Sequence, residues 1–222
     1  MSITKPIQWS FSSLKDFVGC PKRYYEVKVA KNFEQKQTHA LLYGSEVHTA
    51  LEVYVRDGTP LPLNYQRFKK LVDELVKIPG NKYVEHEMAL LPDRTPCKFD
   101  DPNRWVRGIA DLLIVDGELA FVVDYKTGSD RYPDLDQLKL MALMVFAHYP
   151  EVNKVKGALI FVLKNNLVSE TYTREESDKL WEAFLPKLAR LELAYKTQEW
   201  VPSPSPLCAY CAVTTCQFNK ER

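Results

Sequence analysis

Two aspartates and a lysine lie close together in the segment Gly108–Lys126, which runs G-I-A-D, a short apolar stretch, and then V-V-D-Y-K. Asp111 and Asp124 are 13 positions apart, and Lys126 follows Asp124 by two. Because residues two apart on a strand point to the same face, Asp124 and Lys126 can serve one site. Carboxylates and an ammonium group at the ends of apolar strands are costly to bury without partners, which a divalent metal and a phosphate would supply.

These side chains are typical of metal-assisted phosphodiester chemistry. Mg²⁺ and Mn²⁺ prefer oxygen ligands, usually one or two carboxylates with water and phosphate. A metal between the two aspartates would activate a bound water, and Lys126 would offset charge that develops on the phosphoryl group. His48 on a predicted helix and Glu87 on a predicted strand are candidates to complete the site. An isolated D-x-K is more often a surface salt bridge, but here both aspartates end or interrupt strongly apolar strands.

The cysteines form a second candidate site. Of five cysteines, Cys208, Cys211 and Cys216 lie within nine residues near the C-terminus, Cys20 lies near the N-terminus, and a fourth ligand would have to come from outside the C-terminal group. Four thiolates suit tetrahedral zinc or an iron–sulfur cluster, and the spacing alone slightly favours zinc. Buried cysteines that bind nothing are the alternative. Cys97 lies in a polar stretch and is interpreted as a bystander.

The overall composition is that of a soluble globular protein, with 45% apolar and 27% charged residues in 222. No apolar run reaches membrane-spanning length, and the N-terminal residues lack a signal-peptide pattern, so we expect a cytoplasmic protein with no membrane partner. The net charge of +1 gives no global argument for nucleic-acid binding. Any contact with DNA must therefore come from a local basic surface and from bound metal.

Apolar periodicity predicts the elements that position these residues. Asp116–Gly117 is a strong hairpin signal between two predicted strands, and Thr173 with Glu176 predicts a capping box at the start of a long helix. Helices are predicted over 38–56, 64–77, 135–149 and 173–198, and strands over 84–91, 105–115, 119–125, 156–163 and 168–172. This order predicts an α/β fold with a central mixed β-sheet flanked by helices.

Five segments in this order resemble the PD-(D/E)XK nuclease superfamily, specifically its RecB-like and AddB-like iron–sulfur branch, which includes the CRISPR-associated exonucleases. Each segment is weak evidence alone, but all five in family order, with the cysteine spacing, are highly specific. They are S-F-S-S-L-K-D-F-V-G-C-P-K-R-Y-Y at 10–25, G-S-E-V-H-T-A-L-E at 44–52, G-I-A-D at 108–111, D-Y-K at 124–126 and D-Q-L-K-L-M at 136–141.

The resemblance implies a restriction-endonuclease-like core and assigns roles to individual residues. The implied ligands of Mg²⁺ or Mn²⁺ are His48, Asp111, Asp124 and the carbonyl of Tyr125. Lys126 would be the catalytic lysine. The three residues implied for catalysis are thus Asp111, Asp124 and Lys126.

The last of the five segments departs from the family pattern. Gln137 is implied as a DNA-contacting or structural residue, but Met141 stands where the family often has tyrosine. An aromatic or hydroxyl contact with DNA would then either be lost or be supplied by Tyr125 or Tyr132. This departure bears on substrate affinity more than on hydrolysis.

The resemblance also reverses the preference for zinc. A [4Fe–4S] cluster would be held by Cys20, Cys208, Cys211 and Cys216, so that a metal cluster with four cysteine ligands joins the N- and C-terminal segments. The predicted organisation is a single nuclease domain over residues 1–222. Within it, 1–37 and 199–222 together form an iron–sulfur clasp, and 38–198 contain a helical segment and the nuclease core.

Basic residues interleaved with aromatics near the N-terminus, including Arg23 and Tyr24, are candidate DNA contacts. Such charged runs more often only solvate a helix face.

The leading hypothesis is a metal-dependent exonuclease that acts on single-stranded DNA. The resemblance points to recombination, repair, phage DNA metabolism or CRISPR adaptation, in a prokaryotic or phage-infected cell. With no helicase motif in the sequence, a helicase or recombination protein would be a separate partner. The competing hypothesis is a catalytically inactive iron–sulfur DNA-binding scaffold subunit, which the retention of all four site residues disfavours. A third is an RNA-directed nuclease on the same scaffold.

Overall fold

The computed structural model describes residues 5–35 and 38–219. These described residues divide into two compact units. Unit 1 takes its residues from Met1–Gln8 and Thr38–Trp181, and unit 2 takes its residues from Trp9–Gln37 and Glu182–Arg222. No helix in the described ranges is long and apolar enough to cross a membrane.

The structure contains seven α-helices and six strands in its described residues, with short 3₁₀ and π-helical turns between them. The helices are α1 (Phe11–Gly19), α2 (Pro21–Tyr24), α3 (His39–Asp57), α4 (Lys69–Lys77), α5 (Asp136–His148), α6 (Ser177–Glu182) and α7 (Leu185–Thr197). The strands are β1 (Asn81–Leu90), β2 (Pro96–Cys97), β3 (Val106–Asp116), β4 (Leu119–Lys126), β5 (Lys154–Phe161) and β6 (Asn166–Thr173).

The strands of unit 1 form one mixed sheet in the order β2-β1-β3-β4-β5-β6. Every neighbouring pair is antiparallel except β4 and β5, which are parallel. Parallel neighbours need a crossover connection, and α5 supplies it. The predicted α/β fold with a central mixed sheet and flanking helices is confirmed, as is the hairpin after Asp116, whose closing pair is Asp116 and Leu119.

Helices α3 and α4 share a hydrophobic core with the sheet. Val47 and Leu51 are fully buried one turn apart on α3, and they belong to the same cluster as Leu112 and Val123. Helix α5 is apolar around most of its circumference, with eight of its 13 residues buried. A helix that is buried on nearly all sides is held rigidly against the sheet, which suits an element that carries site residues.

The long helix predicted over 173–198 is interrupted, and this prediction is therefore wrong in part. The capping box of Thr173 and Glu176 is present, but α6 ends at Glu182 and α7 begins at Leu185. Pro186 explains the break, because its ring has no N–H to donate and clashes with the carbonyl of the residue four positions earlier.

Substituting Gly80 with alanine is expected to destabilise unit 1 strongly. Gly80 directly precedes β1 with a φ of +113°, and a Cβ there would lie 2.5 Å from the Val115 carbonyl oxygen. Gly117→Ala is the matched control, because Gly117 has a φ of +56° but open space around it. We expect a loss of unfolding free energy of about 3 kcal/mol for Gly80→Ala and about 1 kcal/mol for the control in urea denaturation. Equal losses would mean that the close contact contributes nothing.

Candidate active site

The two middle strands of the sheet separate at one end, and both aspartates lie where they part. The ladder between β3 and β4 ends at the Leu112–Val123 pair, whereas β3 continues to pair with β1 and β4 with β5. Asp111 and Asp124 are the next residues on their strands. In place of a ladder bond, the Asp111 carboxylate accepts a 2.7 Å hydrogen bond from the N–H of Tyr125. We call this opening, with Asp111 and Asp124 on its two sides, the fork.

Three side chains from three elements converge beside the fork. His48 on α3, Glu85 on β1 and Asp111 on β3 each offer one ligand atom, and these atoms lie within 4.8 Å of one another. His48 Nδ1 is 3.3 Å from Asp111 Oδ2. The packing of α3 on the sheet, through Val47 and Leu51, fixes the turn of the helix that carries His48.

Glu85 enters this group through an unusual backbone conformation. Its neighbours Val84 and His86 pair with Leu112 and Ala110, so Glu85 lies opposite Asp111, yet the ladder skips this one position. Its φ is +47°, a left-handed conformation that costs about 1–2 kcal/mol for a residue with a side chain. Strain of this kind is characteristic of functional sites, because the surrounding structure must hold it in place.

On the other side of the fork, Asp124 and Lys126 are joined through Gln137 of α5. The Gln137 side-chain amide donates a hydrogen bond to Asp124 Oδ1, and its oxygen accepts a 2.8 Å hydrogen bond from Lys126 Nζ. Lys126 Nζ also lies 2.5 Å from Asp124 Oδ2. That oxygen is buried and, among the described residues, makes no hydrogen bond of suitable geometry. The amide therefore holds the ammonium and the carboxylate in fixed positions.

The electrostatics of the site favour a bound cation. Burial, and then the charge of Asp111, raise the pKa of Asp124 from 3.8 to about 6 despite the nearby Lys126. Burial and Asp111 likewise raise the pKa of Glu85. The hydrogen bond to Asp111 raises the pKa of His48, against the opposing effect of burial. Carboxylates that repel one another in a half-buried site are stabilised when a cation binds between them.

The donor chemistry fits a divalent metal. Two carboxylates and one imidazole converge in the His48–Glu85–Asp111 group, and Oδ2 of Asp124, beside Lys126 Nζ, lies across the fork. Oxygen-rich donor sets suit Mg²⁺ and Mn²⁺. The residues present at the fork therefore match the ions expected from the sequence.

The structure replaces one of the expected ligands. Glu87 is exposed on β1, pairs in register with Ile109, and is not a member of the group that Glu85 joins. Glu85 and Glu87 are two apart on the same strand, so an alternating pattern cannot distinguish them. The only signal for Glu85 is its position opposite Asp111, which requires the strand register to be known.

Two aromatic residues expected near DNA are buried instead. Tyr24 is 4% exposed, with its hydroxyl 3.2 Å from that of Tyr195 within unit 2, and Tyr125 is 2% exposed. Neither ring therefore presents a face on which a base can stack in this structure. Met141 is also buried and lies within contact distance of Gly108, which shows that this position of α5 faces the sheet.

Arg23 and four cysteines lie together in unit 2. Cys20, Cys208, Cys211 and Cys216 line one cavity, with Arg23 at its wall and Cys97 elsewhere, on β2. Backbone N–H groups of Arg23 and Ser203 point at the Cys20 sulfur from 3.5 and 3.4 Å, and that of Ser205 at the Cys208 sulfur from 3.3 Å. Arg23 also pairs with Asp16 at 3.0 Å.

The distances between the cysteine sulfur atoms in this cavity can be compared with those in a metal site. Within the described ranges, no three of these cysteines bring their sulfurs within 4.8 Å of one another. Zinc at about 2.3 Å from each sulfur would hold its ligands within about 4 Å of one another. As placed, the described cysteine side chains therefore do not meet the distance criterion for a metal site.

Comparisons with known proteins place the chain in one family. A family model described as the PD-(D/E)XK nuclease superfamily matches residues 8–95 and 77–216. The crystal structure of a putative exonuclease from Eubacterium rectale superposes with a TM-score of 0.52 at 16% identity, over 96% of this chain and 86% of that one. The structure of SSO0001 matches with a TM-score of 0.41 at 14% identity, over 99% and 90%. No curated protein matches the sequence significantly.

Proposed function

The chain belongs to the PD-(D/E)XK nuclease superfamily, and on that premise we propose that it is a metal-dependent deoxyribonuclease that degrades single-stranded DNA from an end. Enzymes of this superfamily hydrolyse phosphodiester bonds and use divalent metals. The observation that carries the proposal is the fork, where His48, Glu85 and Asp111 converge across from the Asp124–Lys126 pair.

We assign the metal to the residues on both sides of the fork. His48, Glu85, Asp111 and Asp124 would hold Mg²⁺ or Mn²⁺, with the Tyr125 carbonyl as a further ligand. When bound, the ion would lower the pKa of a coordinated water and polarise a phosphoryl oxygen.

The protein's own groups prepare the site for this chemistry. Asp111 is oriented by the Tyr125 N–H and by His48, so its carboxylate does not rotate away from the fork. Lys126 supplies a positive charge for the phosphoryl oxygens as negative charge develops on them. Gln137 holds that ammonium in place from α5, so little reorganisation is needed during the reaction.

The cysteine cavity of unit 2 is proposed to hold a [4Fe–4S] cluster. Support comes from the shared cavity and from the N–H groups that point at Cys20 and Cys208. N–H donors stabilise thiolates, and hydrogen bonds to cluster sulfurs are a general feature of such sites. A cluster here would join the two parts of the clasp.

The motif set supports a place in the RecB/AddB-like branch. We therefore propose that the enzyme works in recombination, repair, phage DNA metabolism or CRISPR adaptation, with a helicase or recombination protein as partner. Selection of unpaired DNA fits a partner that opens a duplex.

Replacing Lys126 with methionine is expected to lower cleavage by about 10²–10³-fold, because one preorganised charge at the phosphoryl group is lost. The metal-binding carboxylates stay, so the rise in melting temperature caused by Mn²⁺ should persist. The assay uses protein purified anaerobically, with end-labelled single- and double-stranded DNA, end-labelled RNA, and Mg²⁺ or Mn²⁺. Lys156→Met, at an exposed position of β5, is the matched control and should cleave normally.

The outcomes separate the competing functions. DNA cleavage by the parent and the control, but not by Lys126→Met, supports the proposal, and the label pattern gives polarity. Equal cleavage by all three proteins would contradict the role of Lys126. No cleavage by a folded, DNA-binding parent would favour an inactive scaffold, and a preference for RNA would identify the third alternative.

A further inference from the structure

One exposed aromatic side chain lies on the loop that directly follows the lysine of the fork. Tyr132 is six residues beyond Lys126, in the connection between β4 and α5, and it is 81% exposed. The ring adds almost nothing to the core of unit 1. An exposed aromatic beside a site is a candidate for recognition rather than for packing.

The loop is held in place at the end of the sheet where the fork opens. Lys126 is the last residue of β4 and pairs with Phe161, so the turn between β5 and β6 lies at the same end. Asn166 in that region donates a 3.0 Å hydrogen bond to Asp130 Oδ2. The Ser129 hydroxyl accepts a 3.2 Å bond from the N–H of Arg131. The first contact links the loop to the start of β6, and the second orders the residues directly before Tyr132.

The guanidinium group of Arg131 lies over the aromatic ring of Tyr132. Its guanidinium carbon is 5.4 Å from the centre of the Tyr132 ring, within range of a cation–π contact. Both groups are exposed, so together they present a flat aromatic and cationic surface to solvent. Rings and guanidinium planes are the groups on which proteins stack unpaired bases.

Exposed side chains with the same chemistry lie at this end of the sheet. Leu163 and Lys164, in the turn between β5 and β6, are exposed, as is Leu167 near the start of β6. Apolar side chains offer contact for base faces, and the two cations offer contact for phosphates. Nucleic acid with unpaired bases is the ligand that matches this mixture beside a phosphodiester site.

We propose that Tyr132, together with Arg131, is a base-stacking platform that selects unpaired nucleotides next to the fork. In a duplex the base faces are covered by their neighbours, so only a single strand can use this platform fully. Tyr132 thereby acts as a specificity-determining residue. The inference rests on the proposed nuclease function, because it takes the fork as the place where the phosphate is cut.

The test compares two strands that differ only in their bases. Full-length Lys126→Met protein, which is slow to cleave, is titrated with fluorescein-labelled oligothymidylate and with an abasic strand of equal length, with Mg²⁺ present. Adding Tyr132→Ala should weaken oligothymidylate binding by about 5-fold or more and leave abasic binding unchanged. Tyr132→Phe should bind like the parent. Leu63→Ala, at a position in unit 1 that is 94% exposed, is the control for loss of an exposed apolar side chain and should have no effect.

Kinetics with an otherwise unaltered site give a second readout. Tyr132→Ala should raise KM for single-stranded DNA about 5-fold or more with little change in kcat. The ratio of kcat/KM for single-stranded DNA to that for double-stranded DNA should fall accordingly. Equal loss of binding to both strands, or no loss to either, would overturn the platform. Loss in the phenylalanine variant would also overturn it, since a hydroxyl contact would then be responsible.

The failure of the platform can be told apart from the failure of the nuclease. If the parent cleaves DNA but Tyr132→Ala binds bases normally, the platform is wrong and the nuclease stands. If the parent cleaves nothing but base-dependent binding still requires Tyr132, the platform stands on a protein that is not a nuclease.

Discussion

Exchanging Asp124 for asparagine is expected to abolish metal-dependent cleavage while stabilising the metal-free protein at neutral pH. Loss of one ligand removes several kcal/mol of charge stabilisation, which corresponds to a rate loss on the order of 10³-fold or more. Asparagine keeps the shape of the side chain, and Gln137 can still hydrogen-bond to it. The change therefore removes a charge and leaves the packing of β4 intact.

The stabilising part of this prediction follows from the raised pKa of Asp124. Its pKa in the fold is about 6 against 3.8 for an ordinary aspartate, mainly because of burial and then because of Asp111. Below about pH 4 the carboxyl is protonated in the folded and unfolded chains and costs nothing. As the pH rises through 6, the fold must ionise a buried group, so stability is lost. We expect asparagine to recover about 1–3 kcal/mol at pH 8 and almost nothing at pH 4.

Thermal melting at several pH values, with and without Mn²⁺, measures both effects together. At pH 8 without metal, the variant should melt above the parent, and at pH 4 the two should coincide. Mn²⁺ should raise the melting temperature of the parent much more than that of the variant. A variant that melts lower than the parent at pH 8 would show that the Lys126 ion pair outweighs burial. Cleavage at the parent rate would remove Asp124 from the mechanism.

Cys208→Ser is expected to cause a large loss of stability in unit 2. If the cavity holds a [4Fe–4S] cluster, removal of one thiolate releases it, and the binding free energy that stabilises the fold is lost. A loss of several kcal/mol in a chain of this size should lower the melting temperature by about 10 °C or more. The visible absorption of the cluster and the iron content should fall together with it.

Cys97→Ser is the matched control for this experiment, because Cys97 lies on β2 and does not line the cavity. Its variant should keep both the iron and the melting temperature of the parent. Iron retained in Cys208→Ser, with unchanged melting, would refute the cluster. Zinc in place of iron in the anaerobically purified parent would support the zinc alternative.

The architecture followed from local patterns in the sequence. The hairpin after Asp116, the buried helix α5 and the capping box at Thr173 are each encoded by a few neighbouring residues, and the structure contains all three. The interruption before α7 is also local, since Pro186 cannot continue a helix. The prediction of one helix over 173–198 rested on the capping box and did not take this proline into account.

The exposure of aromatic residues could not be derived from the sequence in the same way. Tyr24, Tyr125 and Tyr132 each follow or adjoin charged residues, and each was a candidate for contact with DNA. The fold buries the first two and exposes the third. Whether a tyrosine reaches solvent depends on which elements pack over it, and those elements come from distant parts of the chain.

By itself, the sequence determined the chemistry at the fork: two aspartates at the ends of apolar strands, a lysine two residues on, and a histidine on an amphipathic helix. Strand periodicity and residue type are local properties, so both can be recognised in the sequence without knowledge of the fold. Only the tertiary structure decided that Glu85 rather than Glu87 faces Asp111 and that Gln137 links Lys126 to Asp124. Both depend on strand register and helix docking, which are set by contacts between residues far apart in the chain.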